Sequence, residues 1–296
     1  MQEIRIKLYV MIKNITAIKI LSCLIFTSCI VSSNNETLDI NLRLRIPLKS
    51  DKNEFSVGNK TEKWNAKETA IIICDMWDKH WCKGATRRVE EMADVMEKLI
   101  TVAREKGVLI VHSPSGCVDY YKDHLAWKLG KKYIDKEVAL VHGDSILDTE
   151  KGMKWPLDQL NGGCDCDVRC RVRGCMSKQI STININSKDA ISDSGEEING
   201  LFKERNIKNV IIMGVHTNMC VIGRSFGLRN MVRFGKNVVL VRDLTDTMYD
   251  SKSWPFVSHF EGNNLMIEYI EKYVCPTIVS SDFTGKNKFN FKNNIY

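Results

Sequence analysis

Residues 209 to 229, NVIIMGVHTNMCVIGRSFGLR, constrain this chain more than any other stretch. Val210 to Met213 form an apolar run of the length expected for a buried strand. The run passes through Gly214 into a polar elbow, His216-Thr217-Asn218, and reaches Cys220. The apolar positions Val221, Phe226, Leu228 and Met231 then suggest a helix over about 221 to 234. Cys220 is therefore expected where a parallel strand turns into a helix N-terminus. Ligands bind at such places in open α/β sheets. The helix dipole and nearby N–H groups predict a lowered thiol pKa there, and the thiolate is the nucleophile. The competing reading is a small, inert, buried cysteine.

A second strand end offers a partner. Ala70-Ile71-Ile72-Ile73-Cys74 is another short apolar run, closed by Asp75-Met76-Trp77-Asp78. A partly desolvated carboxylate can serve as base for a thiol. Asp75 is the expected base, and Asp78 the better candidate to cap the following helix. That helix is predicted over about 85 to 106, where Val89, Met92, Val95, Met96, Leu99 and Val102 recur near helical spacing and Gly107 follows. A strand is expected from Val108 to His112, and an irregular region over about 113 to 180. Next come a helix over about 194 to 206, a strand from Asn237 to Arg242 and a helix over about 261 to 273. Strands alternating with helices argue for a parallel sheet with right-handed crossovers.

IIICDMW, GVHTNMCV and the intervening VLIVHSPS resemble the isochorismatase-like cysteine hydrolases, which include nicotinamidases. The resemblance covers roughly residues 65 to 280. It implies a three-layer α/β/α fold around a central parallel sheet. It also implies an Asp–Lys–Cys triad that attacks an amide or related carbon through a thioester. Asp75 and Cys220 match. In the family the lysine stands at a strand end some thirty residues before the cysteine, and the corresponding stretch here is Ser187 to Ser194. Lys188 is at the right sequence distance but precedes the Ala190-Ile191 segment. Lys178 is the preferred candidate, reaching the site if the insertion before it folds over the crevice. If neither serves, Arg224 or Arg242 is the remaining cation. The resemblance further implies a cis peptide before His216 that turns backbone N–H groups toward an oxyanion. Such a bond is rare outside proline. Val215, His216 and Thr217 are thus the expected oxyanion and pocket residues, with Trp77, His80 and His112 around them. His112 also reads as a satisfied core histidine. Asp78 and His80 form a ligand-like pair, but a pocket wall of Trp77, His80 and Trp81 is the preferred reading, so no metal and no cofactor is expected. Arg242-Asp243 and Asp246 line the same crevice or form its salt bridges. His259 and Glu261 begin the last helix and read as its cap.

Outside that domain the chain changes character. Arg5, Lys7, Lys13 and Lys19 precede the short apolar stretch Ile20 to Cys29. This pattern predicts a signal peptide over residues 1–29, with Met11 as a second candidate start. Thr27-Ser28-Cys29 resembles a lipobox, which would place a lipid on Cys29 and anchor the chain to a membrane. A plain signal peptide is the alternative. Either reading implies export. Residues 30–64 are polar and without periodicity, and read as a flexible tether. The hydrolase domain is expected over 65–280 and a tail over 281–296.

Of eleven cysteines, Cys164, Cys166, Cys170 and Cys175 crowd into GGCDCDVRCRVRGC. Exported chains form disulfides, so local bridges are the first reading and a metal site its rival. The formal charge of +7 is spread over scattered Lys and Arg, without aromatic interleaving, and argues against nucleic-acid binding. A small-molecule substrate is the expected partner, together with a homo-oligomer, as is frequent in the family. Two function classes follow: a hydrolase with Cys220 as nucleophile, or a non-catalytic binding member of the same fold at the cell surface.

Overall fold

The structure is a computed structural model that describes residues 36–51, 54–140, 145–168, 170 and 176–292. The expected signal peptide, Cys29 and Cys175 lie outside the described residues. The described residues belong to one compact unit that begins at Glu36.

The strands are β1 (Thr37–Pro47), β2 (Phe55–Asn65), β3 (Thr69–Cys74), β4 (Leu109–Ser113), β5 (Ala190–Ile191), β6 (Asn209–Val215), β7 (Asn237–Asp246) and β8 (Thr277–Ile278). They form one sheet in the order β2-β1-β8-β7-β6-β3-β4-β5. From β8 to β5 every pairing is parallel, whereas β1 is antiparallel to both β2 and β8. The helices are α1 (Lys83–Glu105), α2 (Leu125–Gly130), α3 (Gly195–Glu204), α4 (Leu228–Arg233), α5 (His259–Tyr273) and α6 (Ser281–Thr284).

Why the central strands are apolar on both sides follows from the two cores. Ile71 and Ile73 of β3 pack with Val89, Met92 and Met96 of α1 on one face. Ala70 and Ile72 pack with Ile198, Leu201 and Phe202 of α3 and with Met266 and Ile270 of α5 on the other. A strand covered on both faces reads as a continuous apolar run, and β3 is buried at all six positions. The result is the expected α/β architecture, a mostly parallel sheet between two helical layers.

Topology positions the site. From β3 the chain winds outward through β4 to β5, and from β6 it winds the opposite way through β7 to β8. β3 and β6 are neighbours, so the winding reverses between them. Such a switch point leaves a crevice outside the carboxyl ends of the two strands.

Three expectations are corrected. The tether is a strand hairpin from residue 37 onward, paired over eleven positions from Thr37↔Asn65 to Pro47↔Phe55. Leu38, Ile40 and Leu42 are buried while their odd-numbered neighbours Thr37, Asp39 and Asn41 are exposed. A strand with one wet face carries only every second apolar residue, and therefore reads as polar. The tail is likewise part of the fold through residue 292, since Phe291 is buried in the α1-side core with Phe283 and Phe289 against it. Finally, the helix expected over 221 to 234 is two pieces. A π-helical turn spans Thr217–Val221, and α4 begins only at Leu228. Among the described residues, no helix is long and apolar enough to cross a membrane.

Candidate active site

β3 and β6 approach unusually closely at their carboxyl ends. Gly214 pairs with Cys74 and has φ +119°. A Cβ at Gly214 would stand 2.0 Å from the Cys74 carbonyl oxygen, so only glycine fits. Just beyond, Asp75 turns the chain in the left-handed region, φ 49°, which is uncommon for a non-glycine residue. Its N–H donates to the Ser113 carbonyl at 3.0 Å, and its Oδ1 accepts from the Ser115 N–H at 2.7 Å. These bonds to the end of β4 fix the carboxylate.

On the β6 side the Val215–His216 peptide is cis. The elbow that follows is clamped from behind. The Asn218 amide donates to the Met248 carbonyl at 2.9 Å, and its oxygen accepts from the Met248 N–H at 3.0 Å. Thr217 Oγ1 lies 2.7 Å from Thr245 Oγ1. Cys220 is thereby held facing Asp75.

The electrostatics of the pair are set by burial. Asp75 is fully buried, and burial raises its carboxyl above the usual value against the opposing pull of Arg224, the Cys220 thiol and Ser115. Its Oδ2 has no conventional hydrogen-bond partner. What faces that oxygen is the Arg224 guanidinium, with Nε at 3.5 Å, and the Cys220 thiol. Burial, and then the Asp75 charge, push the Cys220 thiol up to about 12. Arg224 and the His216 N–H pull it back only in part. The thiol is therefore not lowered, as the helix-terminus reading predicts. The π-turn provides no straight helix aimed at the sulfur, and a buried carboxylate next to a thiol opposes a second negative charge.

Cys220 and Arg224 open onto a cleft of about 730 Å³. Trp155, Asp193, Asn218 and Met219 are among its walls. Arg229 also lines it, held by the buried Glu150 at 2.7 Å, with its guanidinium 5.6 Å from the centre of the Trp155 ring.

The cation that the structure places beside Asp75 is Arg224. Lys188 is exposed and lies beside Lys67 and Gly107, at the amino ends of the strands. The Lys178 ammonium lies 5.4 Å from the centre of the Tyr120 ring, while its backbone receives the Asp78 N–H. At the strand end where the resemblance implies a lysine stands Asp193, just after β5, accepting from the Gly116 N–H. Arg224 follows Cys220 by four residues, one turn on, and its N–H donates to the Cys220 carbonyl. That spacing is the signal that finds it.

Several expected pocket residues belong to the interior. His112 is fully buried, one ring nitrogen 3.0 Å from Gln179 Oε1 and the other 3.1 Å from Asp189 Oδ2. It is the satisfied core histidine. Thr217 and Val215 are fully buried, and Trp77 donates its indole N–H to the Ser115 carbonyl behind Asp75. His80 stacks on Trp77 and meets the His216 ring edge-on at 4.8 Å. Burial lowers His80 to about 4, and burial with the neighbouring His80 lowers His216 to about 3. Asp78 does not cap α1. Its carboxylate accepts from the Ser177 N–H at 3.0 Å and from the Lys178 N–H, pinning the returning insertion.

At the end of β7, Asp246 is fully buried between Arg88 Nε at 2.7 Å and His259 Nε2 at 2.8 Å. Burial would raise its carboxyl, but Arg88 and His259 outweigh it and hold the group well below the usual range. His259 is thus a partner of Asp246, and the cap of α5 is Ser258, in a reciprocal box with Glu261.

No family model matches the chain, and no curated protein does. Among solved structures it is similar to a cysteine hydrolase from Pseudomonas syringae pv. phaseolicola, at 16% identity and a TM-score of 0.48, over 82% of this chain and 95% of that one. It is similar to an isochorismatase from Pseudomonas putida, at 12% identity and a TM-score of 0.45, over 74% and 91%. It is also similar to a pyrazinamidase of Pyrococcus horikoshii in complex with zinc, at 16% identity and a TM-score of 0.41, over 71% and 98%.

Proposed function

We propose that the protein is a cysteine-dependent hydrolase of an amide or related small-molecule substrate. One observation carries this reading. A nucleophile, a buried carboxylate base and a cation converge at the switch point of the sheet, and the thiol and the guanidinium open onto a cleft of small-molecule size. Asp75 Oδ2 takes the thiol proton as the sulfur attacks the substrate carbon. The carbon becomes tetrahedral and its oxygen negative. The His216 N–H, which faces the sulfur, and the Arg224 guanidinium are the nearby donors for that charge. The proton on Asp75 passes to the leaving nitrogen, the C–N bond breaks and a thioester remains. Water then adds to the thioester, giving its proton to Asp75, and the carboxylate product leaves as the thiol is restored.

A raised thiol suits this order of events. Cys220 rests protonated and loses its proton only as the bond to carbon forms, so the site holds no standing thiolate open to oxidation. The test is turnover of a panel of small primary amides together with intact-mass spectrometry. Release of ammonia and a transient acyl adduct on the Cys220 peptide are expected, with both lost in Cys220→Ala. A protein that binds such amides saturably while Cys220 is never acylated would be a binding member of the fold instead.

A further inference from the structure

Four cysteines meet far from Cys220 in sequence and outside the proposed chemistry. Cys82, at the start of α1, joins Cys164, Cys166 and Cys170 of the insertion, and all four sulfurs lie within 4.8 Å of one another. We propose that they bind one zinc ion that fastens the insertion to the first turn of α1.

The geometry favours a metal over the disulfides predicted from sequence. The Cys82 and Cys166 sulfurs are 3.8 Å apart, and all four thiols are free. A disulfide brings two sulfurs to about 2.0 Å and leaves no reason for a second pair to crowd against it. Four thiolates at about 2.3 Å around one tetrahedral ion stand about 3.8 Å from each other. An iron–sulfur cluster would put several iron and sulfide atoms between the thiolates and spread them further apart. Sulfur-only, tetrahedral coordination selects zinc or a single iron among common metals.

The surroundings suit four anionic sulfurs. The Lys83 N–H donates to the Cys170 sulfur at 3.4 Å, and the Gly84 N–H reaches the Cys166 sulfur. The N–H groups of Cys166 and Cys170 both reach the Cys164 sulfur. The positive end of the 23-residue helix α1 thus faces the cluster. There is no spare room beside it. A Cβ on Gly84 would stand 3.1 Å from Arg88 Nη1 and 3.4 Å from the Cys166 sulfur. The buried apolar core of this corner is small, Cys82, Ala85, Cys164 and Met248. Closing a loop whose ends are 84 residues apart is where a metal clip contributes most. The clip also places Asp165, between two of the ligands. Its carboxylate accepts from Ser251 and stands 3.7 Å from His259, next to the Asp246–Arg88 pair.

The test is elemental analysis of the full chain purified without added metal, with release followed colorimetrically after a mercurial blocks the thiols. One zinc per chain is expected. Cys166→Ser and Cys170→Ser should each carry less than a tenth of that, while Cys117→Ser and Cys275→Ser keep it. Replacement of the zinc by cobalt(II) should give the visible absorption of a tetrahedral tetrathiolate, a readout independent of variant folding. A metal-free wild type lighter by four hydrogens, with two disulfides among these residues, would overturn the proposal. A single iron with its own charge-transfer colour would overturn the choice of zinc.

Discussion

Asp75 and Asp246 stand at the same edge of the sheet, at the ends of β3 and β7, and both are fully buried. Their carboxyls move in opposite directions. Asp75 has one backbone donor, an oxygen without a conventional partner, and a half-exposed arginine at 3.5 Å. Burial wins and the carboxyl is raised. Asp246 has Arg88 and His259 within 2.8 Å, and the partners win. Burial by itself always disfavours the ion, so the neighbours decide which carboxylate can accept a proton and which is locked as a charge. The first arrangement suits chemistry. The second ties α1, β7 and α5 together.

The sharpest way to break this contrast is to neutralise each acid. Asp75→Asn should lower kcat/KM for the substrate amide about 10³-fold or more, because an amide cannot take the thiol proton. Its melting temperature should hold or rise, since a buried, poorly paired charge is gone. Iodoacetamide should label Cys220 slowly in the wild type at neutral pH and faster in Asp75→Asn, because the carboxylate is one of the groups raising the thiol. Equal labelling rates would show that Asp75 does not govern the thiol.

Asp246→Asn should reverse the pattern. Removing one partner leaves the Arg88 charge buried and unmatched, a loss of about 3–5 kcal/mol, read from denaturant midpoints. If its stability equals that of the wild type, the locked-ion reading fails.

Arg224→Ala should come next, with about a 10²-fold loss in kcat/KM, since it removes a cation beside developing negative charge. Arg224→Lys should recover part of that activity.

Acid titration of stability gives a smaller effect. His80 and His216 are held neutral in the fold, at about 4 and about 3, against about 6.5 when unfolded. Below about pH 6.5 the unfolded chain binds these protons and the folded chain does not, so stability falls as pH falls toward 4. Asp75, raised in the fold, works in the opposite sense and offsets part of that slope. His216→Gln should flatten the wild-type slope by up to about 1.4 kcal/mol per pH unit. The smallest effects belong to Lys178→Ala and Lys188→Ala. Each should change kcat/KM less than about twofold, because neither ammonium takes the place that Arg224 holds beside Asp75.

Much of the site was legible because its parts lie at breaks in one-dimensional patterns. IIIC ends at Asp75 and VIIMG leads into Cys220, and an apolar run that stops at a polar residue marks a strand end. β1 was hidden by its wet face, and β8, with two residues, is too short to show a period. Arg224 was only half legible. Its four-residue spacing from Cys220 offers it as a cation beside Arg242 and the two lysines, but sequence does not show that it faces Asp75. The four-sulfur cluster was half seen. Cys164, Cys166 and Cys170 are neighbours in the chain, but Cys82 lies across the fold, and it replaces the expected Cys175 among the described ligands.

The sequence by itself determined the alternation of strands and helices, the doubly covered central strands, and the two strand ends that carry Asp75 and Cys220. These are local facts, written in runs of apolar residues and the residues that end them. Only the tertiary structure decided that Arg224 stands beside Asp75, that the Cys220 thiol is raised, that Asp246 is locked, and that Cys82 joins the sulfur cluster. Each of these depends on which groups meet across more than one element in low dielectric. There a few ångströms set the balance between desolvation and Coulomb attraction, and sequence order carries no record of that distance.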